Sequence, residues 1–253
     1  MIAKHSGAVI TEHPALLSLL HLCDSLFPTG AFSYSDGLEW AAAVGGVRDG
    51  AGLRQWLDVC LNEAVRRSDG PALLRAWLAF EAGDDEALMA VDEELMALRP
   101  SSSVRAATRS TGRRLLTTWH DLHPNARLAR ALDLVQDTRR PPPRDESGRA
   151  DGALVPTFPV AFGVVCASAG IDRRDALTGF AYSRLAATVS AAMRVMSIGQ
   201  REAHILLARM LEHVPAVVEA IVARDDAPLE SFSPAFDIAQ MSQQYLHSRL
   251  FRS

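Results

Sequence analysis

Eight histidines, three cysteines and thirty carboxylates are the groups with which this chain could do chemistry, and their spacing argues against most of it. His120 and His123, in HDLH, are three apart and could share a helix face around a metal, but Pro124 follows at once and no third ligand is close in sequence. His204 and His213 are too far apart to form a clamp. Cys23, Cys60 and Cys166 are odd in number and widely spaced, which suits neither a disulfide scaffold nor paired zinc ligands; they read as reduced core thiols. Ser33 and Ser35 lack the GxSxG elbow, and no Ser-His-Asp order supports acyl transfer. The acidic runs Asp84-Asp85-Glu86 and Asp92-Glu93-Glu94 fall at helix starts and on helix faces, where they favour the helix dipole without a catalytic role. No catalytic residue, metal ligand or cofactor is assigned.

Composition excludes further classes. Of 26 basic residues the only lysine is Lys4, so no lysine is left for a phosphate-binding loop or a buried Schiff base, and neither GK[ST] nor GxGxxG occurs. An ATPase, a GTPase or a pyridoxal enzyme is thereby set aside. Arginine supplies the positive charge instead, and its planar fork suits bidentate pairing with carboxylates at protein interfaces. Arg105, Arg109 and Arg113 repeat at i, i+4, stacking like charges on one helical face, so something acidic should lie opposite: the fold's own acids or a partner protein. Nucleic acid is disfavoured by the net charge of -4 and the few interleaved aromatics.

The elements that would position these groups are helical. Ala, Leu, Arg and Glu dominate, while β-branched and aromatic residues nowhere alternate over a useful length, so the fold class is all-α, about ten helices in one globular domain over residues 1–224. Ser33, with Asp36 three residues on, is placed to cap a helix ended by Gly45-Gly46. Asp49 starts a helix ending near Asp69-Gly70-Pro71, the serines before Val104 cap another, one more runs to about Thr138, and Asp172 caps the longest, about 173–196. Residues 139–152, rich in proline and charge, are expected to be a mobile loop. Beyond Asp225 the tail 225–253 mixes Phe232, Phe236, Ile238, Met241, Tyr245, Leu250 and Phe251 with polar residues, and its first half shows no obvious helix. Such a terminus either packs on its own domain or is an arm that orders on a partner. The apolar runs are shorter than the ~20 residues that span a bilayer, and the start lacks an apolar stretch with a cleavage site, so the expected address is the cytoplasm, with no membrane contact.

Several segments carry a resemblance. LFPTGAFSYSDGLEWAAAVGGVRD (26–49), FPVAFGVVCASAGI (158–171), YSRLAATVSAAMRVMSIGQ (182–200) and the terminal DIAQMSQQYLHSRLFRS resemble, in order and over nearly the whole chain, the UreF family of urease accessory proteins. Two departures are Thr157, where a histidine is expected before the second block, and Ser197-Ile198, where a proline often precedes the turn. The resemblance implies an all-helical homodimer without chemistry of its own. It would bind UreD (UreH in some systems) and the GTPase UreG, and dock on apo-urease to regulate GTP-dependent nickel insertion. It also implies partner-binding roles for Pro28, Gly30, Phe32 and Tyr34, for Tyr182, Gly199 and Gln200, and for Tyr245, Arg249, Leu250, Phe251 and Arg252. Phe32 and Tyr34 on a Pro-Gly turn either offer rigid aromatic surface or pin the turn to the core. Two other functional classes stay open: a metallochaperone holding nickel through His or Cys, and a nucleic-acid binder using the arginine stripe.

Overall fold

A computed structural model describes residues 14–31, 34–134, 156–225 and 227–251, and among them every regular element is helical. The chain runs through α1 (Pro14–Cys23), α2 (Leu38–Ala43), α3 (Gly50–Val59), a π-helical stretch (Cys60–Asp69), α4 (Gly70–Ala82), α5 (Asp85–Ala97) and α6 (Ser102–Leu122). It continues with α7 (Ala126–Asp133), α8 (Phe158–Ser168), α9 (Arg173–Val195), α10 (Gln200–Leu211), α11 (Val214–Val222), α12 (Pro234–Ser242) and a 3-10 turn (Gln243–Tyr245). The expected all-α single domain is what forms.

Helix starts follow the capping chemistry. Asp49, Asp84, Ser101, Asn125 and Asp172 each accept a backbone N–H from the first turn they precede. At α8 the cap comes from elsewhere in the chain: Thr157 N–H donates to Asp92 Oδ1 (2.7 Å) and Phe158 N–H to Thr108 Oγ1 (3.0 Å). Helix α8 is the centre of the core. Residues Pro159 to Ala167 are all buried, packed against α4, α6 and α9. Gly163 lets α8 approach α4 closely, because a β-carbon there would collide with the Leu73 carbonyl. Phe158, Phe162 and Phe180 pack ring to ring, the last two edge-on at 5.5 Å.

Three differences from the sequence reading have physical causes. The helix expected to end at Gly70 instead continues through π geometry into α4; Pro71 stands in the first turn of α4, where the hydrogen-bond register changes and its missing N–H matters least. The helix after the Pro-Gly turn starts only at Leu38, since Asp36 (φ 51°) and Gly37 (φ 87°) are left-handed, and Asp36 pairs with Arg184 rather than completing a capping box. Residues 234–242, read as irregular, form α12, whose buried Phe236 stacks on Trp56 at 4.8 Å. Helix α7 stops at Asp133. Ser33, the end of that helix expected near Thr138 and the proline-rich loop 139–152 lie outside the described residues.

Candidate partner-binding site

The segment that opens the family resemblance folds as an irregular loop between α1 and α2, fixed at three points. Phe27 is buried and meets the His21 ring edge-on at 5.1 Å, with Trp119 beyond. Pro28 is exposed, and Gly30 (φ 76°) lies against the guanidinium of Arg114, which donates to the Thr29 carbonyl. Asp36 then pairs with Arg184 of α9 at 2.6 Å. Tyr34, half-buried, lines a cleft of about 110 Å³ whose other walls include Asp69, Arg99, Thr108, Phe158 and Arg184. A smaller cavity of about 30 Å³ shares Asp69, Arg99 and Arg184 and reaches Asp237 and Gln240. Between the two run the ion pairs Asp36–Arg184 and Asp69–Arg99, each at 2.6 Å. Burial works against the charge of Arg184, and the carboxylates of Asp36 and Asp69 outweigh it, so its pKa rises.

The C-terminal segment seats on this loop through polar groups. Gln243 is fully buried: its Oε1 accepts from the Ser35 hydroxyl (2.9 Å) and the Gly37 amide (3.0 Å), and its Nε2 donates to Glu39 (3.3 Å). Gly37 is required for the approach, because a side chain there would strike the backbone at Ala239 and Gln240. The Glu39 carboxylate, itself buried, also accepts the amides of Leu250 (2.6 Å) and Phe251 (3.2 Å). Upstream, Leu229 N–H donates to Glu94 and Glu230 N–H to the Arg67 carbonyl, tying the approach to α12 onto α5 and the π-helical stretch.

These contacts sort the expected site residues. Tyr245 is 79% exposed and Leu250 73%, while Phe251 is 3% exposed, facing inward beneath the Arg194 guanidinium at 5.5 Å. Arg249 is exposed beside them. Ile238 and Met241 extend the exposed apolar row along α12 at helical spacing with Tyr245. Tyr182 is exposed on α9, and Gly199 and Gln200 are exposed at the start of α10, apart from this seam in sequence. Phe32 and Arg252 lie outside the described residues. The described contacts of the arginine stripe differ from residue to residue. Arg105 donates to the carbonyls of Arg99 and Pro100 (2.7 and 2.9 Å), Arg109 acts electrostatically on Asp92, and Arg113 is half-buried on the same helix.

Residues missed by sequence reasoning hold the seam together. Glu39, Gln243 and Arg184 carry no motif of their own, although Glu39 closes the SYSDGLE run and Gln243 interrupts an apolar tail; Asp36, read as part of a capping box, pairs with Arg184 instead. Asp92, grouped with surface acids by its neighbours, is buried; burial pushes its carboxyl up to about 6 against the opposing Thr157 amide and Arg109.

The remaining candidates bring no reactive cluster together. Burial pushes the thiols of Cys23, Cys60 and Cys166 up, which keeps them protonated, and all three are free. His123 stacks on Trp119 at 4.3 Å. Among the described residues no three His, Cys, Asp or Glu side chains are arranged to hold a metal ion, and no helix is long and apolar enough to cross a membrane.

Among the described residues, an all-helical body holds its C-terminal segment by buried polar groups and leaves apolar side chains of that segment exposed. The UreF family model matches residues 47–211. The chain is 32% identical to the urease accessory protein UreF of Azoarcus sp. (strain BH72), over 94% of this chain and 95% of that one. It is 32% identical to the UreF of Rhodopseudomonas palustris (strain HaA2), over 98% of each, and 31% to that of Methylorubrum populi, over 94% and 98%. The chain belongs to the UreF family of urease accessory proteins.

Proposed function

We propose that this protein works in the cytoplasm as a non-enzymatic scaffold of urease maturation. It binds UreD (or UreH) and the GTPase UreG, and it regulates GTP-dependent nickel insertion into apo-urease. Nickel is the cargo of the assembly, handed between partners. The segment 225–253 is its partner-binding arm. The observation that carries this reading is the set of exposed apolar side chains Ile238, Met241, Tyr245 and Leu250 on a segment that is also locked to residues 35–39. An apolar row with an aromatic anchor, held on a rigid seat, loses little entropy on binding and suits an interface.

A homodimer is part of the proposal. Leu16, Leu17 and Leu20 are exposed on α1, whose other face packs on α9, and Tyr182 is exposed on α9 itself. An apolar helix face of this kind is what a symmetric, self-complementary contact buries.

Co-expression with UreD and UreG, followed by size-exclusion and mass measurement of what co-purifies, tests the scaffold. A stable complex is expected, weakened at least tenfold by Leu250→Asp; unchanged capture by that variant overturns the assignment of the arm. In the same experiment Leu17→Glu should halve the mass of the isolated protein, and a wild-type protein that is monomeric at tens of micromolar removes the dimer.

A further inference from the structure

We propose that Glu39 is the positioning residue that seats the C-terminal segment, its carboxylate acting as a fixed anion for the chain's own backbone. The amides of Leu250 and Phe251 are consecutive, and both point at this one side chain, at 2.6 and 3.2 Å. Two successive N–H groups converging on a negative charge form a small anion-binding nest; here the anion is supplied by α2 of the same chain. The third donor is Gln243 Nε2, whose own oxygen is taken by Ser35 and Gly37, so residues 35–39 grip the segment at 243 and again at 250–251.

The grip determines which way the segment faces. With Phe251 held inward, 3% exposed and under Arg194, its neighbour Leu250 is left 73% exposed at the same bend. Without the carboxylate, the two amides lose a charge-assisted acceptor in a partly buried place, and the contact that holds the bend at 250–251 in one orientation is gone. Glu39 closes the segment that carries the family resemblance, but the resemblance assigns it no role. The seating role rests on the reading of the arm as partner-binding only for its consequence, not for the contact itself.

Hydrogen exchange separates the two. In the full-length protein, amides of 243–251 should exchange at least tenfold faster in Glu39→Ala than in wild type. Glu39→Gln, which keeps one acceptor oxygen, should fall between them, while exchange in α8 stays unchanged. Should the alanine variant fail to fold, the glutamine variant carries the test. Capture of co-expressed UreD should fall in the same order. Unchanged exchange at 250 and 251 in both variants, or acceleration spread evenly over the whole chain, overturns the positioning role. Accelerated exchange confined to 243–251 with UreD capture intact upholds the role of Glu39 and sinks the assignment of the arm to UreD.

Discussion

Between α4 and α8 the chain is joined by apolar side chains and a glycine that brings two backbones together; between residues 35–39 and 239–251 it is joined by a carboxylate, a carboxamide and a hydroxyl. Both contacts are buried. The first gains from every apolar group withdrawn from water, and any helix with the right shape would satisfy it. The second gains modestly from each hydrogen bond but loses heavily when one partner is missing, so it accepts one register and opens more readily. A core is built from the first kind. A seat for a segment that must face the same way each time is built from the second.

The largest effect should come from the apolar contact. Gly163→Val puts branched carbon against the Leu73 carbonyl and forces α8 off α4, at a cost on the order of 3 kcal/mol or more. Urea denaturation of the variant should give a far lower midpoint or no folded protein; a wild-type midpoint would mean that the two helices are not in register-defining contact.

Next is the buried carboxylate that caps α8. Asp92 has its carboxyl raised from 3.8 to about 6, so the folded state holds its proton over a range where the unfolded chain has released it. Both states are protonated below about pH 4, and there is no penalty. Above about pH 6 both are ionised, and the folded protein carries a buried charge costing roughly 3 kcal/mol. The stability supplied by this group therefore falls as pH rises from 4 to 6. Asp92→Asn, which keeps an acceptor for the Thr157 amide, should be more stable than wild type at pH 7 and equal to it near pH 4. A stability gap that does not change between those pH values would show that the carboxyl does not titrate there.

Gln243→Ala probes the polar seam directly. It strips partners from Ser35, Gly37 and Glu39 at once, with an expected cost of about 1–3 kcal/mol. A loss under about 0.5 kcal/mol would mean that water replaces the side chain without difficulty, which would make the seam a wet contact rather than a fitted one.

The two regions also differ in how far they could be read in advance. Helix α8 announces itself as an apolar run between Pro159 and Gly170, and α9 as a long period of Leu177, Leu185 and Val189 begun by the Asp172 cap, because local pattern and burial agree. The seam was legible only as a family resemblance, since Glu39 and Gln243 lie about 200 positions apart, and hydrogen bonding between them leaves no periodic trace. Asp92 was hidden for the same reason: its partner Thr157 is 65 residues away, and its neighbours Glu93 and Glu94 make it look like surface. Helix α12 was missed because its nine residues are kept helical by Phe236 on Trp56 and Ala239 on Gly37, tertiary contacts that outweigh a weak local signal.

The smallest effect on stability should come from Tyr245→Ser, and it is the most telling about function. The ring is exposed and stands at the end of the 3-10 turn that follows α12, so removing it should shift the unfolding free energy by less than about 0.5 kcal/mol. Rigid aromatic groups on a fitted seat are the usual anchors of protein interfaces, so the same change should weaken UreD capture by at least tenfold. The inner residue Phe251 makes the control: Phe251→Ser should lower stability and capture together, because it removes a buried ring that orients Leu250. A Tyr245→Ser protein that melts as wild type and still takes up UreD at full affinity would move the partner surface off this row, leaving the seam a purely structural joint.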